Sequence, residues 1–246
     1  MKRIVSSVLG LLMILVFPMQ VLAMEANIVE ENKAYKEYLS YVREGLLDET
    51  ISFDDWYAAV LRAEALEEIM FNEESWELVY NSEDSPMATS YSPAAGDVLI
   101  TNGTQTVGIP GHTGIMINTG SALRILNCSD ETTVISTITL SAWHDRYTDR
   151  SSSTWTKIYR HSSSSVANAA ATWARNSYMY TSPEYGFTSS SIDDSISPTF
   201  CSRVVWQAYY YGPSTPAANL VASVWLLLPY DMDAIIHDLS LVAEVS

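Results

Sequence analysis

The stretch TFCSRVVWQAYYYGP (residues 199–213) holds Cys201, one of two cysteines in this chain of 246 residues. Counting from Cys201, apolar residues recur three, four, seven and eight positions later, which is the spacing of one helical face. Gly212 and Pro213 then predict the end of the helix. The pattern therefore places Cys201 in the first turn of a helix, with its side chain directed inward.

This position suits a nucleophile. Backbone N–H groups at the start of a helix are unpaired, and their partial positive charge favours a thiolate and can hold an oxyanion formed at an attacked carbonyl. An inert buried cysteine fits the same pattern, because cysteines are among the most buried residues. The residues of this stretch alone leave both interpretations open.

Patterns elsewhere in the chain predict an α+β fold, in which helices pack against an antiparallel sheet. Short runs rich in Ile, Val, Thr and aromatic residues indicate strands at 96–103, 112–118, 122–127, 133–140 and 155–161. Residues 164–180 indicate a helix. The end of the chain, 220–242, predicts a strand, a break at Pro229 and a closing segment.

His112 is the candidate base for Cys201, because it lies on a predicted hairpin with Asn127. A two- or four-residue loop centred on Thr119-Gly120 places the two residues directly opposite each other, with Cβ atoms about 5 Å apart on one face. Asn127 would then orient one ring nitrogen of His112 and leave the other for Cys201, as in a Cys-His-Asn arrangement. A three- or five-residue loop would instead put the two side chains on opposite faces.

The same register directs Cys128 to the face opposite Asn127. This predicts a buried apolar role for Cys128 and argues against a Cys128–Cys201 disulfide. No His and Cys residues stand at ligand spacing and no glycine-rich phosphate loop is present, so neither a metal site nor a cofactor is predicted. The remaining histidines are predicted to be surface or packing residues: His144, His161 and His237.

The first 95 residues differ from the rest of the chain. Residues 1–23 combine a basic start, an apolar run and small exit residues, which predicts a secretory signal peptide cleaved after Ala23; a retained membrane anchor is the alternative. Residues 24–86 contain 17 acidic and 4 basic residues. Their apolar spacing, with Ser52 as an N-cap, predicts a small acidic helical region, and a solvated acidic spacer is the alternative. Residues 87–95 are predicted to be a linker.

The net charge and the predicted export limit the functions that the chain can have. The formal net charge of −16 disfavours binding to nucleic acids and to anionic lipid headgroups by repulsion. The signal peptide predicts a protein that is secreted or held in a bacterial cell envelope, with no stable membrane span once it is removed.

Several motifs, taken in order, resemble those of the permuted papain-like cysteine amidases of the YiiX/YycO type, which are related to NlpC-type cell-wall peptidases. They are AGDVLITNG, PGHTGIMI, LRILN, SPEYGF, FCSRVVWQAYYYG and LPYDM, and the resemblance covers roughly residues 94–245. It implies a circularly permuted papain-like catalytic domain at 96–246. Carried over to this chain, the nucleophile is Cys201, the base His112 and the third polar residue Asn127.

The match to the family is less specific at two site positions, Asn127 and Tyr185. Many members of the family carry an acidic residue where this chain has Asn127; an amide orients a histidine but stabilises its charged form less. Tyr185 matches an aromatic position that lines the site, and ordinary loop packing is its alternative role.

The resemblance implies a secreted cysteine hydrolase that cleaves amide bonds through a thioester. Cell-wall (peptidoglycan) peptides are the leading substrate class, and no cofactor is required. Two alternatives stay open: a lipid amide or ester hydrolase or acyltransferase on the same fold, and a non-catalytic binding module. A deep apolar channel beside Cys201 would favour the lipid substrate.

Overall fold

The computed structural model of the protein describes residues 30–72, 91–129, 133–149, 151, 153–188, 194–220 and 226–245. The predicted signal peptide lies outside these ranges. So do parts of the predicted acidic region and linker, at 24–29 and 73–90. For these segments the sequence-based expectations remain expectations.

Within the described ranges, six antiparallel strands form one sheet. They are β1 (Val98–Thr106), β2 (Ile109–Asn118), β3 (Leu123–Cys128), β4 (Ile135–Ile138), β5 (Thr156–His161) and β6 (Leu239–Val245), and their spatial order is β4-β3-β2-β1-β5-β6. The first five lie where the residue alternation predicts them. The strand predicted before Pro229 is wrong for its described residues, because 226–228 are buried coil and the last strand begins at Leu239.

Helices cover both faces of the sheet, which confirms the α+β class. They are α1 (30–43), α2 (Phe53–Asn72), α3 (Leu140–Trp143), α4 (Ser164–Tyr178), α5 (Cys201–Tyr211) and α6 (Met232–Ile235). A π-helical turn, His144–Thr148, continues α3. The packing of a cysteine-bearing helix on a histidine-bearing antiparallel sheet, in the permuted chain order, is the arrangement predicted for the papain-like class.

The alternation of side chains divides the sheet into two apolar layers. Ile115 and Leu126 pack with α4 and α5, and we call this side the helix face. Met116 and Ile125 pack on the opposite side with Trp143 of α3, and we call that side the turn face. Neighbouring residues of a strand therefore pack in different layers.

The N-terminal helices are part of the fold. Ser52 caps α2 as predicted, since its hydroxyl accepts from the Asp55 N–H at 3.1 Å and donates to the Asp55 carboxylate at 2.7 Å. The buried indole of Trp56 donates to the Val107 carbonyl at 2.8 Å. Residues 30–72 therefore share the core of the sheet and are not a solvated spacer.

The end of α2 is held by a charge from the sheet. The last turn of α2 contains no basic residue. The buried ammonium of Lys157, on β5, donates to the Met70 carbonyl near that end. A cation near helix carbonyls opposes the negative end of the helix dipole.

Candidate active site

Cys201 is the first residue of α5 and only 7% exposed. The residue before it, Phe200, makes no side-chain cap, so the N–H groups of the first turn are left for other acceptors. The Cys201 sulfur lies beside these groups: the N–H groups of Cys201 and Ser202 lower the pKa of the thiol, and the Ser202 hydroxyl lies 3.7 Å away. The helix start thus gathers donors where an oxyanion would form.

Burial raises the pKa of the Cys201 thiol. Hydrogen bonds from Ser202 and from the Thr113 N–H lower it, but by less than burial raises it. This corrects the expectation that the helix start favours a thiolate, because the loss of water outweighs the local donors. The resting thiol is neutral, and it needs a base when it attacks.

The hairpin that carries His112 and Asn127 has a register different from the predicted one. Asn127 pairs with Gly114, so the prediction that it lies directly opposite His112 is wrong by two residues. The reason is the turn: Thr119 bonds to the Ala122 carbonyl through its N–H and its hydroxyl, which centres the four-residue loop one position later. A shift of two keeps both side chains on the same face.

His112 and Asn127 meet diagonally and are both buried. His112 Nε2 lies 2.5 Å from Asn127 Oδ1. Because an amide oxygen only accepts, Nε2 carries the proton and Nδ1 carries the lone pair. Asn127 Nδ2 donates in turn to Ser136 Oγ at 3.3 Å. Asn127 thus sets the tautomer in which Nδ1 is the basic atom of His112.

The end of the β2–β3 ladder brings Cys201 to the backbone beside His112, although the two side chains belong to different faces. Cys201 packs in the helix-face cluster, and the His112 ring packs on Trp143 and Tyr147 on the turn face. The pairing of these strands stops at Gly114 and Asn127. The N–H of the preceding residue, Thr113, donates to the Cys201 sulfur. Cys201 therefore lies against the backbone of the residue that follows His112.

Two aromatic residues that sequence reasoning missed pack on His112. The Trp143 ring stacks on it, with centroids 5.4 Å apart and planes at 17°, and the Tyr147 ring lies 4.9 Å away. The Tyr147 hydroxyl donates to Asn127 Oδ1 at 3.2 Å. Their spacing of four residues was an available signal for a shared helical face, but the segment reads as a charged loop.

A small pocket with mainly apolar walls lies at Cys201. Its volume is about 10 Å³, so it is not a deep channel. Tyr185 lines it as predicted, and its substrate-binding role stays a prediction. Tyr185 also packs edge-on against Phe187, with centroids 5.8 Å apart, so lining and loop packing are compatible. The apolar walls are Ile109, Phe187, Phe200, Leu226 and Leu227.

Cys128 and Cys201 form no disulfide, as predicted. The reason predicted for this absence, that the two cysteines lie on different sides of the sheet, is wrong. Cys128 lies on the face opposite Asn127, but α5 packs on that same face, so both cysteines belong to one apolar cluster. Cys128 is a buried apolar residue.

The other histidines have packing or surface roles, as predicted. His161 is buried, accepts from the Ser163 N–H at 2.9 Å and stacks on Tyr209. His237 lies 2.8 Å from the Asn219 side chain at the surface. His144 is partly exposed at the start of the π-helical turn.

The described residues contain neither a cluster suited to a metal ion nor a helix that could span a membrane. Within those ranges, His, Cys, Asp and Glu side chains do not gather in groups of three or more that would suit a metal ion. In the same part of the chain, each helix is too short or too polar to cross a membrane.

The family profile of LnsA-like lipoprotein N-acylation proteins matches residues 65–241. The chain belongs to this family. It is also 31% identical over 147 residues to an uncharacterized 30.3 kDa protein of Bacillus thuringiensis, across 56% of this chain and 51% of that protein. The chain thus spans about half the length of that relative.

One solved structure is similar at the level of the chain trace. The crystal structure of the metalloprotein YiiX from Escherichia coli O157:H7 aligns with a TM-score of 0.45 and 14% identity, covering 62% of this chain and 98% of that one. Membership of the LnsA-like family supports the coarser part of the predicted activity, an acyl-group hydrolase or acyltransferase. It also supports an association with lipoproteins or the cell envelope.

Proposed function

We propose that the protein is a cysteine acyltransferase that carries a lipid-derived acyl chain as a thioester on Cys201. The observation that carries this proposal is the apolar lining beside Cys201. The pocket has a volume of about 10 Å³ as it stands, which is room for one water, so an acyl chain requires its walls to separate. A long acyl chain gains free energy by leaving water for such walls, whereas a cell-wall peptide offers mostly polar groups. The description of the family, lipoprotein N-acylation, agrees with this substrate class.

In the first step, His112 Nδ1 takes the proton of the Cys201 thiol as the sulfur attacks an ester carbonyl. The N–H groups of Cys201 and Ser202 stabilise the oxyanion that forms. The C–S bond is made, the C–O bond breaks, and the leaving alcohol receives the proton from His112. Asn127 binds Nε2 of the His112 ring, so Nδ1 is the atom that can take the proton.

In the second step, an amine attacks the thioester carbonyl. His112 takes a proton from the amine, the C–S bond breaks, and Cys201 leaves as a thiolate that regains its proton. The product is an amide, as N-acylation of a lipoprotein requires. The apolar walls limit access of water, which in the same step would give hydrolysis instead.

The predicted secreted amidase of cell-wall peptides is the second candidate. It uses the same Cys201, His112 and Asn127, with an amide carbonyl in place of the ester. The Ser-, Tyr- and Asp-rich segments at 144–154 and 181–199 are the feature that favours it, because such side chains suit polar ligands. A single assay with two substrate classes separates the two candidates.

The purified protein is incubated either with glycerophospholipid vesicles or with muropeptides. Intact mass spectrometry then follows an acyl adduct that hydroxylamine removes, and chromatography follows peptide cleavage. We expect an adduct on Cys201 with vesicles, its loss in Cys201→Ala and its retention in Cys128→Ala. Muropeptide cleavage without an adduct would replace the first candidate by the second, and neither reaction would favour a binding module.

A further inference from the structure

The π-helical turn His144–Thr148 presents a tyrosine to the residues that handle the proton. We propose that Tyr147 is a positioning residue: its hydroxyl holds the Asn127 amide oxygen against His112 Nε2–H and so keeps Nδ1 as the basic atom. This inference rests on the proposed function only for the roles of His112 and Cys201. It adds a residue for which the papain-like resemblance supplied no role.

The contacts of Asn127 show what the hydroxyl contributes. Oδ1 lies 2.5 Å from His112 Nε2 and accepts from the Tyr147 hydroxyl at 3.2 Å. The amide nitrogen donates to Ser136 Oγ at 3.3 Å, a long hydrogen bond. Removing the Tyr147 hydroxyl therefore takes away a fixed donor that keeps the oxygen of the amide, not its nitrogen, turned toward His112.

The rings act on His112 itself. Trp143 stacks on the imidazole at 5.4 Å, the Tyr147 ring lies 4.9 Å from it, and the two rings are 4.6 Å apart. Packed aromatic neighbours leave the imidazole few rotamers. The ring of Tyr147 therefore limits the orientation of His112, while its hydroxyl selects the tautomer.

The turn that carries Tyr147 is itself fixed to the sheet. The Trp143 indole donates to the Thr156 hydroxyl at 3.1 Å, and the Thr148 hydroxyl lies 2.7 Å from the same atom. At Gly103 of β1 a Cβ would lie 1.5 Å from the Tyr147 carbonyl oxygen, so only glycine allows this close approach. Short π-helical segments occur often at functional sites, and this one is supported on both sides of Tyr147.

The test compares Tyr147→Phe with Tyr38→Phe in the full chain. Tyr38 is a matched control, because its buried hydroxyl donates to the Ile51 carbonyl at 2.7 Å in the N-terminal helices. Nitrogen-15 NMR reports the tautomer of His112, whose signals are assigned by their loss in His112→Gln. Alkylation of Cys201 by iodoacetamide at neutral pH reports the transfer of its proton, and thermal unfolding reports stability.

We expect wild-type His112 to be protonated at Nε2 and Tyr147→Phe to contain a measurable population protonated at Nδ1. Alkylation of Cys201 should slow about fivefold, the equivalent of one net hydrogen bond. Tyr38→Phe should lower the melting temperature and leave both readouts unchanged. A tautomer and an alkylation rate that stay at wild-type values in Tyr147→Phe would reduce Tyr147 to a packing residue and overturn the proposal.

The two proposals fail separately. If no acyl adduct forms on Cys201 but the tautomer still shifts in Tyr147→Phe, the positioning role stands and the acyltransferase proposal falls. If the wild type and Tyr147→Phe form the adduct at the same rate and have the same His112 tautomer, the acyltransferase proposal stands and the positioning role falls.

Discussion

The two faces of the sheet contribute to the candidate site in different ways. On the helix face, a regular helix places the Cys201 thiol among apolar residues, and burial keeps it neutral. On the turn face, short irregular segments surround His112 with an amide, a hydroxyl and two rings. The difference indicates a division of tasks: one face holds the sulfur and the apolar pocket, and the other sets the state of the base.

The largest expected effect comes from exchanging the two cysteines of the helix face in turn. Cys201→Ala should abolish the acyl adduct and leave the fold intact, because the side chain lost is small. Cys128→Ala should retain the adduct and lower the free energy of unfolding by about 1 kcal/mol, the cost of a small buried cavity. Mass spectrometry and denaturant unfolding measure both. Equal adduct formation in the two variants would show that Cys201 is not the nucleophile.

Removing the base tests the turn face. His112→Ala should slow adduct formation by roughly 10²- to 10⁴-fold, which is the usual contribution of a general base. His161→Ala is the matched control, since His161 is a buried histidine that packs on Tyr209 of the helix face. It should lose stability and keep the adduct rate. Similar rates in the two variants would mean that the turn face takes no part in the chemistry.

Two glycines allow the strand before His112 to be disturbed by one methyl group. Gly111 has φ +96° and a Cβ there would lie 2.7 Å from the Tyr230 ring, whereas Gly120 has φ +93° and open space around it. Both alanine variants carry the left-handed backbone cost of about 1 kcal/mol. Gly111→Ala should lose roughly 1–3 kcal/mol more through overpacking.

Denaturant unfolding and the adduct rate together measure this difference. We expect Gly120→Ala to keep the wild-type adduct rate and Gly111→Ala to reduce it, because Gly111 itself lines the pocket at Cys201. If both variants lose the same stability and keep the same rate, the start of β2 tolerates movement and the position of His112 is less restricted than its contacts indicate.

The helix face could be predicted from the sequence because its helices and strands are regular. Apolar spacing placed Cys201 at the start of α5 and Gly212 at its end. The shared face of His112 and Asn127 was also predicted, and it survived a register error of two because side chains alternate with period two. By contrast, residues 226–228 before Pro229 are buried coil beside the pocket, which composition does not distinguish from a strand.

The turn face could not be predicted from the sequence because its contacts join residues that are distant along the chain. α3 and the π-helical turn span only 140–148, which is too short for a periodic pattern. The approach of Tyr147 to Asn127 joins residues 20 positions apart through the packing of a turn on the sheet. Local sequence does not contain that information, so the residues that hold the base were found only in the folded chain.

The smallest expected effect concerns alkaline pH, where the two faces should differ again. Because burial raises the pKa of Cys201, the folded state holds this proton more tightly than the unfolded chain. The resulting stability is complete below the ordinary thiol pKa and is lost as pH rises toward the raised value, by at most about 1.4 kcal/mol per pH unit. Tyr178, whose pKa burial raises to about 12, adds a similar loss at higher pH.

Comparing the wild type with Cys201→Ala isolates the thiol, because Tyr178 and the other buried tyrosines are common to both proteins. We expect the free energy of unfolding to fall more steeply above pH 9 in the wild type than in the variant. Parallel curves would show that the thiolate is not disfavoured in the folded protein. The sulfur would then be activated by the start of α5, and His112 would be needed only to protonate the leaving group.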